Sequence, residues 1–128
     1  MSIVPAARPI AFVLTADRAR AEAFYADVLG MAEVARDDFA TTYALGGEAV
    51  LRLTPVAGHV PGQHTVLGWA VPDMAEAMAS LRDKGVEFKV YDGFGQDDEG
   101  VWTAPGGGVK VAWFDDPDGN NLSLTAFG

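Results

Sequence analysis

VLTADRARAEAFYADVLGMAEV, residues 13 to 34, returns later in the chain as WAVPDMAEAMASLRDKGVEFKV, residues 69 to 90. With Asp17 laid over Asp73 and a one-residue slip before the glycine, both stretches have the same order: apolar strand, aspartate, helix, glycine, strand. The aspartate is placed to cap its helix, because a carboxylate accepts the free amide protons of a first turn. In the second copy Asp73 and Glu76 also have capping-box spacing. Ala21, Phe24 and Val28 would form the apolar face of the first helix, and Ala77, Met78 and Leu81 that of the second. Gly30 and Gly85 follow where a helix ends in a left-handed residue.

Three extended segments follow each helix. In the first half they are roughly MAEVARD, ATTYAL and AVLRLTP, and in the second VEFKVYD, VKVAWF and NLSLTAF. Gly46-Gly47-Glu48 makes the last turn of the first half, and Asp116-Pro117-Asp118-Gly119 the equivalent turn of the second. The latter has aspartate, proline, aspartate and glycine at the positions a type I turn with a glycine bulge favours. Asp116, Asp118 and Asn120 also have the spacing of a calcium loop. Such a loop requires glycine sixth and glutamate twelfth, where this chain has Asn121 and Phe127, so the calcium reading fails. A glycine-rich insertion, GFGQDDEGVWTAPGGG, precedes VKVAWF and reads as irregular and mobile, and its run Gln96 to Glu99 as solvated. The chain therefore encodes βαβββ twice, at about 8–54 and 65–127, with residues 55–64 as the linker. The expected fold is α+β.

Composition narrows the function. The 128 residues are 49% hydrophobic, enough for a core, and carry a formal charge of −9, which disfavours nucleic acid and anionic membrane partners. There is no cysteine, hence no disulfide, thiolate nucleophile or cysteine-based metal site, and His59 and His64 are the only imidazoles. No apolar run approaches membrane-spanning length, and IAFVLTA reads as a strand rather than a signal segment, which makes the cytoplasm the default location. Asn121-Leu122-Ser123 fits a glycosylation pattern, an accident in a chain that is not exported.

The doubled βαβββ pattern, together with FYADVLGM in the first half and FDDPDGNNLSL in the second, resembles the vicinal oxygen chelate superfamily. This is the group of glyoxalase I, extradiol dioxygenases, methylmalonyl-CoA epimerase, fosfomycin-resistance enzymes and bleomycin-binding proteins. The resemblance implies a curved mixed sheet around a cavity. In its metal-dependent members it implies four cavity-facing ligands, one near the start of the first strand and one on the last strand of each half. Here those positions fall on Ile10 and Val66, on Ser123, and on Leu51 or Arg52. Only serine is even a weak ligand, and arginine would oppose a cation. His64, two residues before Val66, would face the same side if it belongs to the strand, but one imidazole without partners holds no metal. His59, in the linker, is expected to be exposed.

Strand alternation then adds Phe12 and Leu14 to the face of Ile10, with Gly68 and Ala70 on that of Val66. The parity that resembles the fosfomycin enzymes turns Val111 and Trp113 inward and Phe114 under the helix. Trp102, in the insertion, is placed to close over a ligand. Lone apolar strand residues such as Ile10, Phe12 and Trp113 are more often core than contact residues. The expected ligand-binding set is Ile10, Phe12, Arg52, His64, Val66, Trp102, Trp113 and Ser123. The expected function is a metal-independent small-molecule-binding protein, forming a homodimer, with an aromatic or amphipathic ligand. The alternatives are a metal-dependent enzyme of the lactoylglutathione lyase, epimerase or dioxygenase type with non-standard ligands, and a metal-free enzyme using Arg52 or His64 as its polar group.

Overall fold

The computed structural model describes residues 6–128 and divides between Val60 and Pro61, inside the expected linker, into two compact units. The first unit contains β1 (Ile10–Thr15), α1 (Arg18–Ala23) running into a π-helical turn (Phe24–Val28), β2 (Glu33–Arg36), β3 (Thr41–Gly46) and β4 (Ala49–Pro55). Its sheet has the order β1-β4-β3-β2, with β1 parallel to β4 and the other pairs antiparallel. The second unit contains β5 (Thr65–Ala70), α2 (Met74–Asp83), β6 (Trp102–Thr103), β7 (Val109–Asp115) and β8 (Asn121–Phe127). Its order is β5-β8-β7-β6, again with one parallel pair, β5 with β8. The fold is α+β, with two mixed four-stranded sheets.

Both helices start as their aspartates dictate: the Asp17 side chain accepts from the Arg20 amide at 3.2 Å, and Asp73 from the Glu76 amide at 3.0 Å. Gly30 and Gly85 take φ of 70° and 93° after them, angles that a Cβ would strain. The expected buried face of the first helix needs correction. Ala21 and Tyr25 are fully buried, while Phe24 and Val28 are only half-buried. Ala21 and Tyr25, four residues apart, share one helical face, and the π-helical turn closed by the Leu29 amide on the Phe24 carbonyl at 3.0 Å rotates Val28 away from it. Tyr25 packs 6.4 Å from Tyr43 of β3.

In each sheet one face is filled by side chains that meet the helix. In the first unit these are Val13 of β1, Tyr43 of β3, and Leu51 and Leu53 of β4, all nearly inaccessible. In the second they are Ala112 and Phe114 of β7, Leu122 and Leu124 of β8, and Met74 and Met78 of α2. The segment VEFKVYD does not become the full strand its pattern suggests. It makes one bridge, Phe88 to Phe114, and Lys89 donates to the Trp113 carbonyl at 2.8 Å. The edge of β7 is shared, because Trp102 and Thr103 of the insertion pair with its other end. The DPDG turn forms as read. Gly119 donates to the Asp116 carbonyl at 3.0 Å, and Asp116 Oδ1 accepts from the amides of Asp118 and Asn120, both at 2.9 Å.

A polar cluster ties α1 to the sheet of the first unit. Glu22 accepts from the buried Thr41 hydroxyl and pairs with Arg36 at 2.8 Å and Arg18 at 3.3 Å. Burial acts to raise the Glu22 carboxyl, but the hydrogen bonds from Thr41, Arg36 and Arg18 outweigh it and hold the group below its ordinary 4.5. A lowered carboxyl stabilises the fold above its ordinary value, and that stability is lost as pH falls through the lower folded value. Urea unfolding followed below pH 4.5 should therefore show a loss of stability that is smaller in Glu22→Gln. Phe114 is fully buried and meets Phe88 edge-on at 5.6 Å. Phe114→Ala should cost about 3–5 kcal/mol in the same measurement.

Candidate functional site

The face of each sheet away from its helix is where the expected site residues fall. In the first unit the register opposes Phe12 and Thr42 to Arg52, so these three side chains share a face. Leu51, one residue earlier, is fully buried among the helix-facing side chains. The choice between Leu51 and Arg52 thus falls to Arg52, whose guanidinium lies 3.9 Å from Asp37 in the same unit. The Asp37 carboxylate is held below its ordinary range chiefly by the amides of Phe39 and Ala40. Ile10 and Phe12 are 50% and 58% exposed.

In the second unit one row crosses three strands: Gly68 of β5 opposes Ser123 of β8, which opposes Trp113 of β7. Val111 lies on the same face, and Trp102 opposes it from β6. Val66 is less simply placed. The register slips between Thr65 and Leu67, so the alternation that would align Val66 with Gly68 is interrupted by a bulge. His64 precedes β5 in a bend and is exposed, with its ring against Gly62. His59, expected to be exposed, is half-buried in the turn after β4, where its amide donates to the Val56 carbonyl at 3.1 Å.

The insertion supplies what strand alternation could not find. Phe94 lies 5.5 Å from Trp113 and 6.1 Å from Trp102, and Tyr91 lies 6.0 Å from both Phe94 and Trp113. Most of these contacts are edge-to-face, the geometry that ring quadrupoles favour. Tyr91 lies near the end of the expected strand VEFKVYD and Phe94 in the glycine-rich insertion where no alternation applies, so neither is among the expected site residues. Nor is the segment loosely held. The Gln96 side chain accepts from the Tyr91 amide at 2.7 Å and donates to the carbonyls of Lys89 at 2.9 Å and Gly100 at 2.7 Å. Asp97 accepts from the amides of Glu99 and Val101, both at 2.9 Å. The polar run read as solvated charge includes the two side chains that shape the loop.

Beside these rings opens a cavity of about 360 Å³ lined by Gln63, Lys89, Tyr91, Asp115 and Asn121, among others. Lys89 pairs with Asp115 at 2.9 Å, and this hydrogen bond raises the lysine above its ordinary value. Asn121 donates to the Tyr91 hydroxyl at 3.0 Å and accepts from Thr65 at 2.6 Å. Tyr91 is the residue common to this cavity and to the cluster of rings, and the other lining side chains named here are polar or charged.

The family model described as Glyoxalase/Bleomycin resistance protein/Dioxygenase superfamily matches residues 8–124. The chain belongs to that superfamily. Among solved members of the glyoxalase fold, a superfamily protein from Sphaerobacter thermophilus DSM 20745 is 25% identical, with a TM-score of 0.71 over 94% of this chain and 96% of that one. TnmS3, an antibiotic binding protein from Streptomyces sp. CB03234, is 23% identical, with a TM-score of 0.70 over 95% and 96%. A lactoylglutathione lyase from Agrobacterium tumefaciens is 20% identical, with a TM-score of 0.71 over 95% and 94%. No curated protein matches the chain. Within this superfamily fold, Gln96 is the side chain on which the aromatic wall of the second unit depends. Gln96→Ala should cost about 1–3 kcal/mol in urea unfolding, for three lost hydrogen bonds, and should speed amide exchange across residues 89–101.

Proposed function

We propose that the protein is a metal-independent small-molecule-binding member of its superfamily, with an aromatic or amphipathic ligand. The observation that carries this reading is the continuous set of ring contacts among Tyr91, Phe94, Trp102 and Trp113, in which Phe94 stays 48% and Tyr91 37% exposed. Clustered, partly exposed aromatic rings are a surface for stacking, and Tyr91 also lines the neighbouring cavity. That the same fold serves an antibiotic binding protein supports the reading.

The donor set argues in the same direction. The positions that correspond to metal ligands in metal-dependent relatives carry Ile10, Arg52, Val66 and Ser123, with no imidazole or carboxylate among them. Among the described residues no three histidine, aspartate or glutamate side chains converge. These residues do not fit a divalent ion, whose capture needs several such donors together. Each sheet ends in strands paired on one side only, so a homodimer is part of the proposal. Light scattering should give twice the 13.5 kDa chain mass.

Melting of the purified protein with a panel of planar and amphipathic aromatics, beside nickel, iron and manganese salts, tests the reading. A ligand at a hundred times its Kd should stabilise the fold by about 2.7 kcal/mol. Trp113→Ala should abolish the shift. Stabilisation by metal alone, with stoichiometric metal retained through dialysis, would establish the metalloenzyme alternative instead.

A further inference from the structure

Gly68 stands in the interior of β5 without the left-handed backbone angle that would call for glycine. Glycine there weakens a strand, and where it persists something usually approaches the backbone closely. A Cβ built on Gly68 would meet Ser123 Oγ at 2.4 Å and the Ser123 carbonyl oxygen at 3.2 Å. Gly68 itself is exposed, whereas Ser123 is only 8% exposed. A hydroxyl can both donate and accept, and the Ser123 side chain, on a residue that is itself nearly buried, does neither towards any described residue. On its other side Ser123 opposes Trp113. Absent side chain, unspent hydroxyl and indole thus stand in one row across three adjacent strands.

We propose that Gly68 and Ser123 form a hydrogen-bonding notch beside Trp113, and that the ligand is an aryl compound bearing an oxygen substituent, a phenol or a ring carbonyl. The ring lies against Trp113, and its oxygen exchanges a hydrogen bond with Ser123 Oγ. Gly68 keeps the notch open to either ring, because any larger side chain fills it, and Ser123 does the discriminating. This rests on the aromatic-ligand reading above and adds to it the functional group that the ligand carries.

Equilibrium dialysis with 2-naphthol and 2-methylnaphthalene provides the test, since the two share a ring system and differ by hydroxyl against methyl. Apolar burial alone favours the methyl compound. The intact protein should instead bind 2-naphthol about ten-fold more tightly, the worth of one neutral hydrogen bond. Ser123→Ala, which removes a single oxygen, should bring that ratio to one or below by weakening 2-naphthol. Gly68→Ala should weaken both probes, and Ser123→Ala keeps the test decisive if Gly68→Ala fails to fold. Both probes binding with a ratio unchanged in Ser123→Ala would overturn the notch and leave aromatic binding standing. Neither probe binding to the intact protein would overturn the aromatic reading and the notch with it.

Discussion

The register of β8 between β5 and β7 is the constraint from which the second unit follows. Side chains along a strand alternate between two faces, so pairing Ser123 with both Gly68 and Trp113 also pairs Leu122 with Leu67 and Phe114. A slip of one residue would send Leu122 and Leu124 into water and bring Ser123 and Thr125 under α2. Burial of the leucines beside Met74 and Met78 therefore holds the opposite face in place. The packed face determines where the polar notch and the rings must point.

The same division of labour explains why this face has an unusual composition. A sheet covered on one side by a helix needs apolar side chains on that side only. The other side is free to carry Gly68, Ser123 and Asn121, which contribute little to a core. Rings from outside the strands then complete it, held by side-chain hydrogen bonds rather than by ladder pairing. Gln96 acts as a substitute for the strand that VEFKVYD does not fully form, bonding the backbone at Lys89, Tyr91 and Gly100. A loop shaped in this way can present Tyr91 and Phe94 at angles that a pleated strand would not allow.

The two units apply the repeated plan with different chemistry. In the first, the helix-side cluster of Glu22, Arg18, Arg36 and Thr41 is polar and mutually satisfied, and Arg52 on the other face has Asp37 nearby. In the second, the ion pair of Lys89 and Asp115 lies at the cavity. The two units thus share caps, glycines and turn positions, which backbone geometry demands, and differ on their open faces.

What the sequence determined by itself was everything governed by local rules. The repeat, the capping Asp17 and Asp73, the glycine stops, the DPDG turn and the two-faced strands were legible because each depends on a few neighbouring residues. Superfamily membership followed from their order. The superfamily resemblance also implied an inward Trp113 and Ser123 with Phe114 under the helix, the faces that the register gives them. What only the tertiary structure decided were the departures from periodicity: the π-helical turn that rotates Val28 off the buried face, the bulge at Val66, the partial strand at Phe88, and the choice of Arg52 over Leu51. The rings of Tyr91 and Phe94 belong to the same class. Their positions come from hydrogen bonds and contacts within a glycine-rich loop, which leave no repeating pattern in the sequence to read.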